Sequence, residues 1–106
     1  MPSAVETRQT AREEAATSAL AANRAAGRTV AVAESCTGGM VSAALTDIAG
    51  SSDVFSAGFI TYSGDAKKHQ LDVSGEILET FGEVSLATAW AMAAGVLANS
   101  DADVAV

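Results

Sequence analysis

The sequence predicts an α/β domain with three α/β/α layers, a small central sheet and an alanine-rich N-terminal helix. Short apolar runs with β-branched residues alternate with longer stretches of helical periodicity. A chain of 106 residues has the length of one domain, long enough to bury about 60–70% of its unfolded surface. Hydrophobic residues make up 49% of the chain and aromatic residues 5%, which favours close-packed helices over a β-sandwich.

The N-terminal helix has two candidate starts. Ser3 and Thr10 are each followed three residues later by a glutamate, which is the spacing of a capping box. We expect the helix to run from Thr10 through an alanine-rich stretch to Ala26, with Gly27 just beyond its end. Residues 1–9 are then expected to be flexible.

The next segments predict two strands on either side of a helix. Thr29–Ala33 is a short apolar run with β-branched residues, typical of a buried strand. Helical spacing of apolar residues returns over Gly38–Ile48. A polar loop follows, and Phe55–Tyr62 is the second predicted strand.

The second half predicts three helices and a third strand. Ser63 is a candidate N-cap for a short polar helix, Val73–Phe81 is a second helix ended by Gly82, and Ser85 opens a third. The apolar residues expected on the inward face of that third helix are Leu86, Ala89, Trp90, Ala93, Val96 and Leu97. Ala102–Val106 predicts a third strand. Interior strands are normally followed by more chain, so we expect residues 1–106 to be one domain that is incomplete at its C-terminus.

Charge and cysteine content narrow the functional class. The net charge is −7 and no basic stripe is present, so we expect no binding to nucleic acid. The single cysteine allows no internal disulfide, which fits a reducing compartment. The N-terminus lacks the pattern of a signal peptide, and no run reaches the roughly 20 strongly apolar residues of a membrane span. We therefore expect a soluble, cytoplasmic protein without a membrane partner.

The stretch AESCTGG lies where the first strand gives way to a helix. In open α/β sheets, ligands bind at the carboxyl ends of the strands. A helix starting there offers unpaired N–H groups to an anion, and glycines allow a close approach. The candidate binding residues are Glu34, Cys36, Thr37, Gly38 and Gly39. For Glu34 three roles stay open: a base, a ligand to an amide group, or a residue favoured by the dipole at the helix N-terminus. On spacing alone, the more frequent outcome is structural: Ser35 or Thr37 caps the helix and the glycines form the turn.

A serine nucleophile needs a base beside it. The only histidine, His69, lies in a polar and presumed exposed stretch, whereas Lys67 follows the second strand and Tyr62 ends it. A lysine can act as a base when its pKa is lowered by burial or by nearby positive charge. If the two strands are neighbours, Ser35 and Lys67 meet at one edge of the sheet. The alternative is that Lys67 lies on a solvated helix surface.

Two other chemistries receive weaker support. Cys36 is a rival nucleophile because a helix N-terminus stabilises a thiolate, although a lone cysteine is more often a small packing residue. The carboxylates, His69 and Cys36 lack the spacing of a zinc site, so we expect no metal.

Four blocks, in this order, resemble the C-terminal domain of the CinA family: AESCTGG, LTDIAGSSDVF, GFITYSGDAKKHQLDV and GEVS. The resemblance runs from about Thr29 to Val106. The family includes stand-alone nicotinamide-nucleotide amidases of the PncC type. The resemblance implies hydrolysis of nicotinamide mononucleotide to nicotinic acid mononucleotide and ammonia in pyridine-nucleotide recycling. It also implies that no cofactor is needed. Because an unfinished sheet exposes pairing edges and apolar faces, we expect the chain to form a homo-oligomer.

The resemblance also implies roles for single residues. Ser35 would be the nucleophile and Lys67 its base, while Tyr62 would orient Lys67 or pass a proton to the leaving ammonia. Thr37, Gly38 and Gly39 would form the pocket, with N–H groups near Thr37 and Gly38 holding the oxyanion.

The sequence departs from the family pattern in two places. Ser63-Gly64-Asp65 stands where the family usually has Ser-Asn-Glu. The glycine-rich TGIAGP block, which in the family follows the third strand, is absent. The second departure keeps an alternative open: a non-catalytic, truncated domain that binds a nucleotide or another subunit.

Overall fold

A computed structural model describes all 106 residues and shows the predicted α/β fold. The five helices are α1 (Ala4–Ala25), α2 (Met40–Thr46), α3 (Gly64–Leu71), α4 (Gly75–Phe81) and α5 (Leu86–Ala98). The three strands are β1 (Val30–Glu34), β2 (Phe55–Ile60) and β3 (Val104–Ala105), and a 3-10 turn spans Ser51–Asp53. No helix combines the length and the apolar character needed to cross a membrane.

The strands form one parallel sheet in the order β2-β1-β3. β1 is therefore the central strand. It pairs with β2 from Val30 opposite Phe55 to Glu34 opposite Ile60, with one irregularity after Val30. Because all three strands run in the same direction, their carboxyl ends lie at one edge of the sheet.

Successive residues of β1 point to opposite faces of the sheet, and each face has its own core. Val30 and Val32 pack against α1 and α2, in a buried cluster completed by Ala16, Leu20, Leu45 and Val54. Ala31 points the other way, towards α3 and α5, in a cluster completed by Leu71, Val73, Met92 and Val96. The sheet thus separates two helical layers, as expected.

The first helix begins at the earlier of its two candidate starts. Ser3 is the N-cap, and its Oγ accepts a hydrogen bond from the Glu6 N–H at 3.1 Å. The start at Thr10 is wrong: the Thr10 hydroxyl lies inside the helix and donates to the Glu6 carbonyl. Residues 4–9 are helical, although they are exposed, and their flexibility stays a prediction.

The other serine caps agree with the sequence. Ser63 accepts from the Ala66 N–H at the start of α3, at 3.0 Å. Ser85 accepts from the Thr88 N–H at the start of α5, at 3.1 Å. These caps fix where α3 and α5 begin relative to the sheet edge.

The inward face of α5 differs from the predicted one. Leu86 and Trp90, both expected inside, are 91% and 76% exposed. The buried residues are Thr88, Met92, Gly95 and Val96. The helix is turned this way because Gly95 packs directly against the backbone of Leu71 in α3, and a Cβ at Gly95 would collide with the Leu71 carbonyl oxygen. The periodicity of large apolar side chains could not reveal a contact that depends on the absence of a side chain.

We expect Gly95→Ala to be strongly destabilising, by about 3 kcal/mol, because α5 must move away from α3 to accept the methyl group. Gly75→Ala is the matched control. A Cβ at Gly75 meets only the Lys68 side chain, at 3.6 Å, so this substitution should be neutral or should stabilise by up to about 1 kcal/mol. Urea unfolding of the two variants measures the difference, and equal midpoints would contradict the close α3–α5 contact.

Candidate functional site

The candidate site lies at the carboxyl edge of the sheet, on the side of α3 and α5. Ser35 follows β1 directly, and Thr61 and Tyr62 follow β2. The Thr61 N–H donates to the Glu34 carbonyl at 2.9 Å, so the pairing of the two strands continues up to this point. Ser35 has the same parity as Ala31 and therefore faces the α3 and α5 layer.

Lys67 reaches the same edge from α3. Its side chain and that of Leu71 are the buried ones of this helix, one turn apart on its inward face. Leu71 packs in the core between the sheet and α5. Because Lys67 lies on the same face of α3, its aliphatic stem is buried as well. The sequence gives α3 no other inward-facing side chain long enough to reach the end of β1.

The Lys67 amine is buried among uncharged oxygens. The residue is 1% exposed. Its Nζ lies 2.9 Å from Ser35 Oγ and donates to the carbonyls of Thr61 at 2.7 Å and Tyr62 at 3.3 Å. No carboxylate pairs with it, since the one ion pair of the chain joins Arg24 to Asp53. Lys67 is thus not on a solvated surface, unlike its neighbour Lys68, which is exposed.

Two depressions that share Ser35 and Cys36 open beside this contact. One, of about 200 Å³, is completed by Tyr62, Lys67, Glu83 and Val84. The other, of about 210 Å³, is completed by Ala33, Glu83, Val84, Ser85, Ala89 and Met92. Together they form what we call the Ser35 cavity. A larger apolar groove between α1 and α2 contains Thr37 but neither Ser35 nor Lys67.

The loop between α4 and α5 is the part of the cavity wall that sequence reasoning missed. Glu83, Val84 and Ser85 belong to the GEVS block, which carried the resemblance but was given no role. Thr61 was also missed, because it acts through its backbone carbonyl, which no side-chain pattern reveals. The available signal for the loop was that the GEVS block ends at the Ser85 cap of α5.

Tyr62 and Cys36 lie at the rim of the cavity. Tyr62 is 70% exposed, and it contacts Lys67 through its carbonyl, whereas its hydroxyl makes no hydrogen bond. Cys36 is exposed, so it is not the buried packing residue that its rarity favoured. His69 is exposed on α3 and makes no hydrogen bond to Ser35, which leaves Lys67 as the base nearest to that hydroxyl.

The turn after Ser35 offers different N–H donors from those expected. The Gly38 N–H donates to the Ser35 carbonyl at 3.0 Å and is therefore not free for an oxyanion. The N–H groups of Cys36 and Thr37 donate to no group of the chain. These two are the donors that the turn leaves available next to the serine.

Thr37 and the two glycines shape the start of α2. Thr37 Oγ1 accepts from the Met40 N–H at 3.2 Å, so Thr37 contributes to capping and Ser35 does not. Gly38 and Gly39 have φ of +70° and +123°, which side chains rarely adopt. A Cβ at Gly39 would also lie 3.1 Å from the Ile60 side chain. The structure places the glycines in the turn, and neither lines the Ser35 cavity.

Glu34 lies on the opposite side of the sheet edge from Ser35. Its carboxylate accepts from the N–H groups of Val41 at 2.7 Å and Ser42 at 2.9 Å, and from the Ser42 hydroxyl at 2.6 Å. It is 5% exposed and lines neither part of the Ser35 cavity. The positive end of α2, expected to bind an external anion, is thus occupied by a carboxylate of the chain itself.

Two opposing effects act on the pKa of Glu34. Burial raises the pKa, while hydrogen bonds from the Ser42 hydroxyl and from the backbone of Ser42 and Val41 lower it. The hydrogen bonds prevail, and the pKa lies below its ordinary value of 4.5. The carboxylate therefore stays charged under neutral conditions.

We expect Glu34→Gln to lower the free energy of unfolding by about 1–2 kcal/mol at pH 7. A lowered pKa in the folded state contributes stability above about pH 4.5, and this contribution disappears as the pH falls through the folded-state pKa. The difference in the free energy of unfolding between wild type and variant should therefore become smaller below that pH. Urea unfolding from pH 7 to pH 3 measures this difference, with Glu79→Gln, an exposed change on α4, as control. A difference that does not depend on pH would contradict the capping role.

No group of three or more His, Cys, Asp or Glu side chains is arranged to hold a metal ion. At the Ser35 cavity a serine hydroxyl, an amine and two unpaired N–H groups lie together. This is the combination of groups that acyl transfer needs.

Comparisons with known proteins agree with this fold. The family described as CinA C-terminal domain matches residues 8–106. A nicotinamide-nucleotide amidohydrolase PncC of Enterobacter agglomerans is 54% identical over 86 residues, covering 81% of this chain and 52% of that protein. A CinA-like protein of Chlorobium phaeovibrioides is 54% identical over 78 residues, covering 74% of this chain and 18% of that protein.

Solved structures show the same architecture. The competence/damage inducible protein CihA from Agrobacterium tumefaciens superposes with a TM-score of 0.85 at 49% identity, over 89% of this chain and 57% of that one. A CinA superfamily protein from Escherichia coli gives 0.86 at 34% identity, over 89% and 55%. The chain thus spans a little more than half the length of the PncC protein and of the two solved structures, and 18% of the length of the Chlorobium protein. With the family match extending over almost its whole length, the chain belongs to the CinA C-terminal domain family.

Proposed function

We propose that the Ser35 cavity hydrolyses the carboxamide of a nicotinamide nucleotide, converting nicotinamide mononucleotide to nicotinic acid mononucleotide and ammonia. The observation that carries the proposal is the 2.9 Å approach of the buried Lys67 amine to the Ser35 hydroxyl beside an open cavity. A relative named as a nicotinamide-nucleotide amidohydrolase, at 54% identity, supports the substrate class.

The contacts of Lys67 bring its amine within reach of the Ser35 proton. Lys67 Nζ donates to the carbonyls of Thr61 and Tyr62 and to Ser35 Oγ. In the proposed reaction the contact with Ser35 reverses, and the lone pair of the neutral amine accepts the hydroxyl proton. The partners of the amine are neutral oxygens, and no carboxylate forms an ion pair with it. Lys67 then takes the Ser35 proton as the oxygen attacks.

The reaction proceeds by acyl transfer. Ser35 Oγ attacks the carboxamide carbon, and the N–H groups of Cys36 and Thr37 hold the resulting oxyanion, each donor contributing about 3 kcal/mol. Lys67 returns its proton to the nitrogen, the C–N bond breaks, and ammonia leaves an acyl-serine. Water, deprotonated by Lys67, attacks this ester and releases the acid and the free serine.

Tyr62 takes part in two ways in this proposal. Its carbonyl orients the Lys67 amine, and its exposed phenol is placed at the rim, on the substrate side of the cavity. From there it assists proton transfer to the leaving ammonia once a substrate covers the site. No cofactor is needed for these steps.

A second candidate function is non-catalytic binding of a nucleotide or of another subunit in a homo-oligomer. The exposed apolar side chains of α5, Leu86 and Trp90, favour a surface that is covered in an assembly. Measuring ammonia released from nicotinamide mononucleotide separates the two candidates. A well-folded chain that releases none would favour the binding role.

We expect Ser35→Ala to abolish ammonia release while lowering the free energy of unfolding by no more than about 1–3 kcal/mol, since the hydroxyl caps no helix but accepts from the buried Lys67 amine. Cys36→Ala is the matched control for the rival nucleophile in the same turn and should keep most of the activity. Ammonia release and thermal unfolding of both variants test this. Turnover that survives in Ser35→Ala and is lost in Cys36→Ala would identify the thiol as the nucleophile.

We expect Lys67→Met to lower turnover by about 100-fold or more. Methionine fills the channel of the lysine stem without bringing an amine into the interior, so the fold should be retained within about 2 kcal/mol. Lys68→Met, a change of the adjacent exposed lysine, should leave turnover unchanged. Comparable losses in both variants would show that Lys67 is not the base.

A further inference from the structure

Glu83 contributes to both halves of the Ser35 cavity. It is exposed, and its carboxylate takes part in no ion pair and no hydrogen bond of the chain. Lys67, the lysine in the same cavity, is turned towards carbonyl oxygens and does not pair with it. The cavity therefore has a negative charge on its wall that no group of the protein neutralises.

Two features hold Glu83 in this position. The loop that carries it is tied to α5 by Thr88, whose buried hydroxyl donates to the Gly82 carbonyl at 2.6 Å. On the other side, Gly64 leaves room for the carboxylate at the start of α3, because a Cβ there would lie only 2.6 Å from Glu83 Oε1. Any larger residue at position 64 would push the carboxylate aside.

We propose that Glu83 determines specificity by selecting amides whose ring carries a fixed positive charge, such as an N-glycosylated pyridinium, over neutral amides of the same shape. This inference rests on the proposed function. A pyridinium attached through its ring nitrogen keeps its charge at every pH, so the carboxylate can recognise it throughout the working range.

The size of the effect follows from the exposure of Glu83. An ion pair at an exposed site contributes little, which corresponds to about a two- to fivefold preference in the dissociation constant. The preference should shrink in about 1 M salt, where the screening length falls to roughly 3 Å. Comparing two ligands that differ only in ring charge removes the contributions of their phosphate and ribose groups.

Calorimetric binding of two probes to the Ser35→Ala chain tests the inference without turnover. The probes are nicotinamide mononucleotide and its benzamide analogue, in which a carbon replaces the charged ring nitrogen. We expect the cationic probe to bind about two- to fivefold more tightly. Adding Glu83→Gln should remove the preference, whereas adding the control Glu79→Gln, on α4 and outside the Ser35 cavity, should preserve it.

Three results would overturn the role of Glu83: equal binding of the two probes, a preference that survives Glu83→Gln, or no binding of either probe. Ammonia release by the chain with Ser35 intact tests the proposed function separately. A preference for the cationic probe without ammonia release would contradict the proposed amidase activity and support the role of Glu83. Ammonia release without such a preference would support the amidase activity and contradict the role of Glu83.

Discussion

The site depends on one constraint, the burial of the Lys67 amine where only neutral oxygens surround it. Placing an amine there requires that every N–H find an acceptor, because an unsatisfied buried donor costs about 1–3 kcal/mol. The residues just after two adjacent parallel strands supply these acceptors: the Ser35 hydroxyl follows β1, and the Thr61 carbonyl follows β2. The distance between these two oxygens is set by the strand register, which pairs Glu34 with Ile60. A slip of one residue would turn Ser35 to the far face and leave the amine without it.

The same alternation divides the ESCTGG stretch between two tasks. Glu34 points towards α2 and neutralises the positive end of that helix, while Ser35 points towards α3 and meets Lys67. With a carboxylate of the chain at the N-terminus of α2, a substrate anion has no free helix end to occupy there. The backbone donors next to Ser35 are instead those of the short turn that follows it, where the N–H groups of Cys36 and Thr37 are unpaired. A stretch that reads as one motif in the sequence thus contributes a cap for α2 on one side of the sheet and the turn beside the Ser35 cavity on the other.

The sequence predicted those parts that depend on local patterns and strand order. The α/β alternation and the Ser63 and Ser85 caps follow from strand periodicity and helix capping. The meeting of Ser35 with Lys67 followed only on the condition that the two strands are neighbours, and the family resemblance was needed to prefer it over a solvated Lys67. The orientation of α5 did not follow, because it depends on how closely Gly95 approaches Leu71. The α4–α5 loop was missed because its position next to Ser35 depends on the orientation of α5, and hence on the same contact between Gly95 and Leu71. Of the three roles left open for Glu34, the structure shows the one at the N-terminus of α2, and its alternation with Ser35 along the strand keeps it out of the Ser35 cavity.

The difference from the family pattern at position 64 gains a physical meaning from these contacts. Where the family usually has asparagine, Gly64 has no side chain, and the carboxylate of Glu83 occupies the space next to it. The two residues are thus coupled, because a side chain restored at position 64 would displace the carboxylate of Glu83. The net charge of −7 adds to the attraction for a cationic ring and opposes the approach of a phosphate. On the proposed function, we expect a nucleotide to enter ring first, which would present the carboxamide to Ser35 and leave the phosphate at the exposed end.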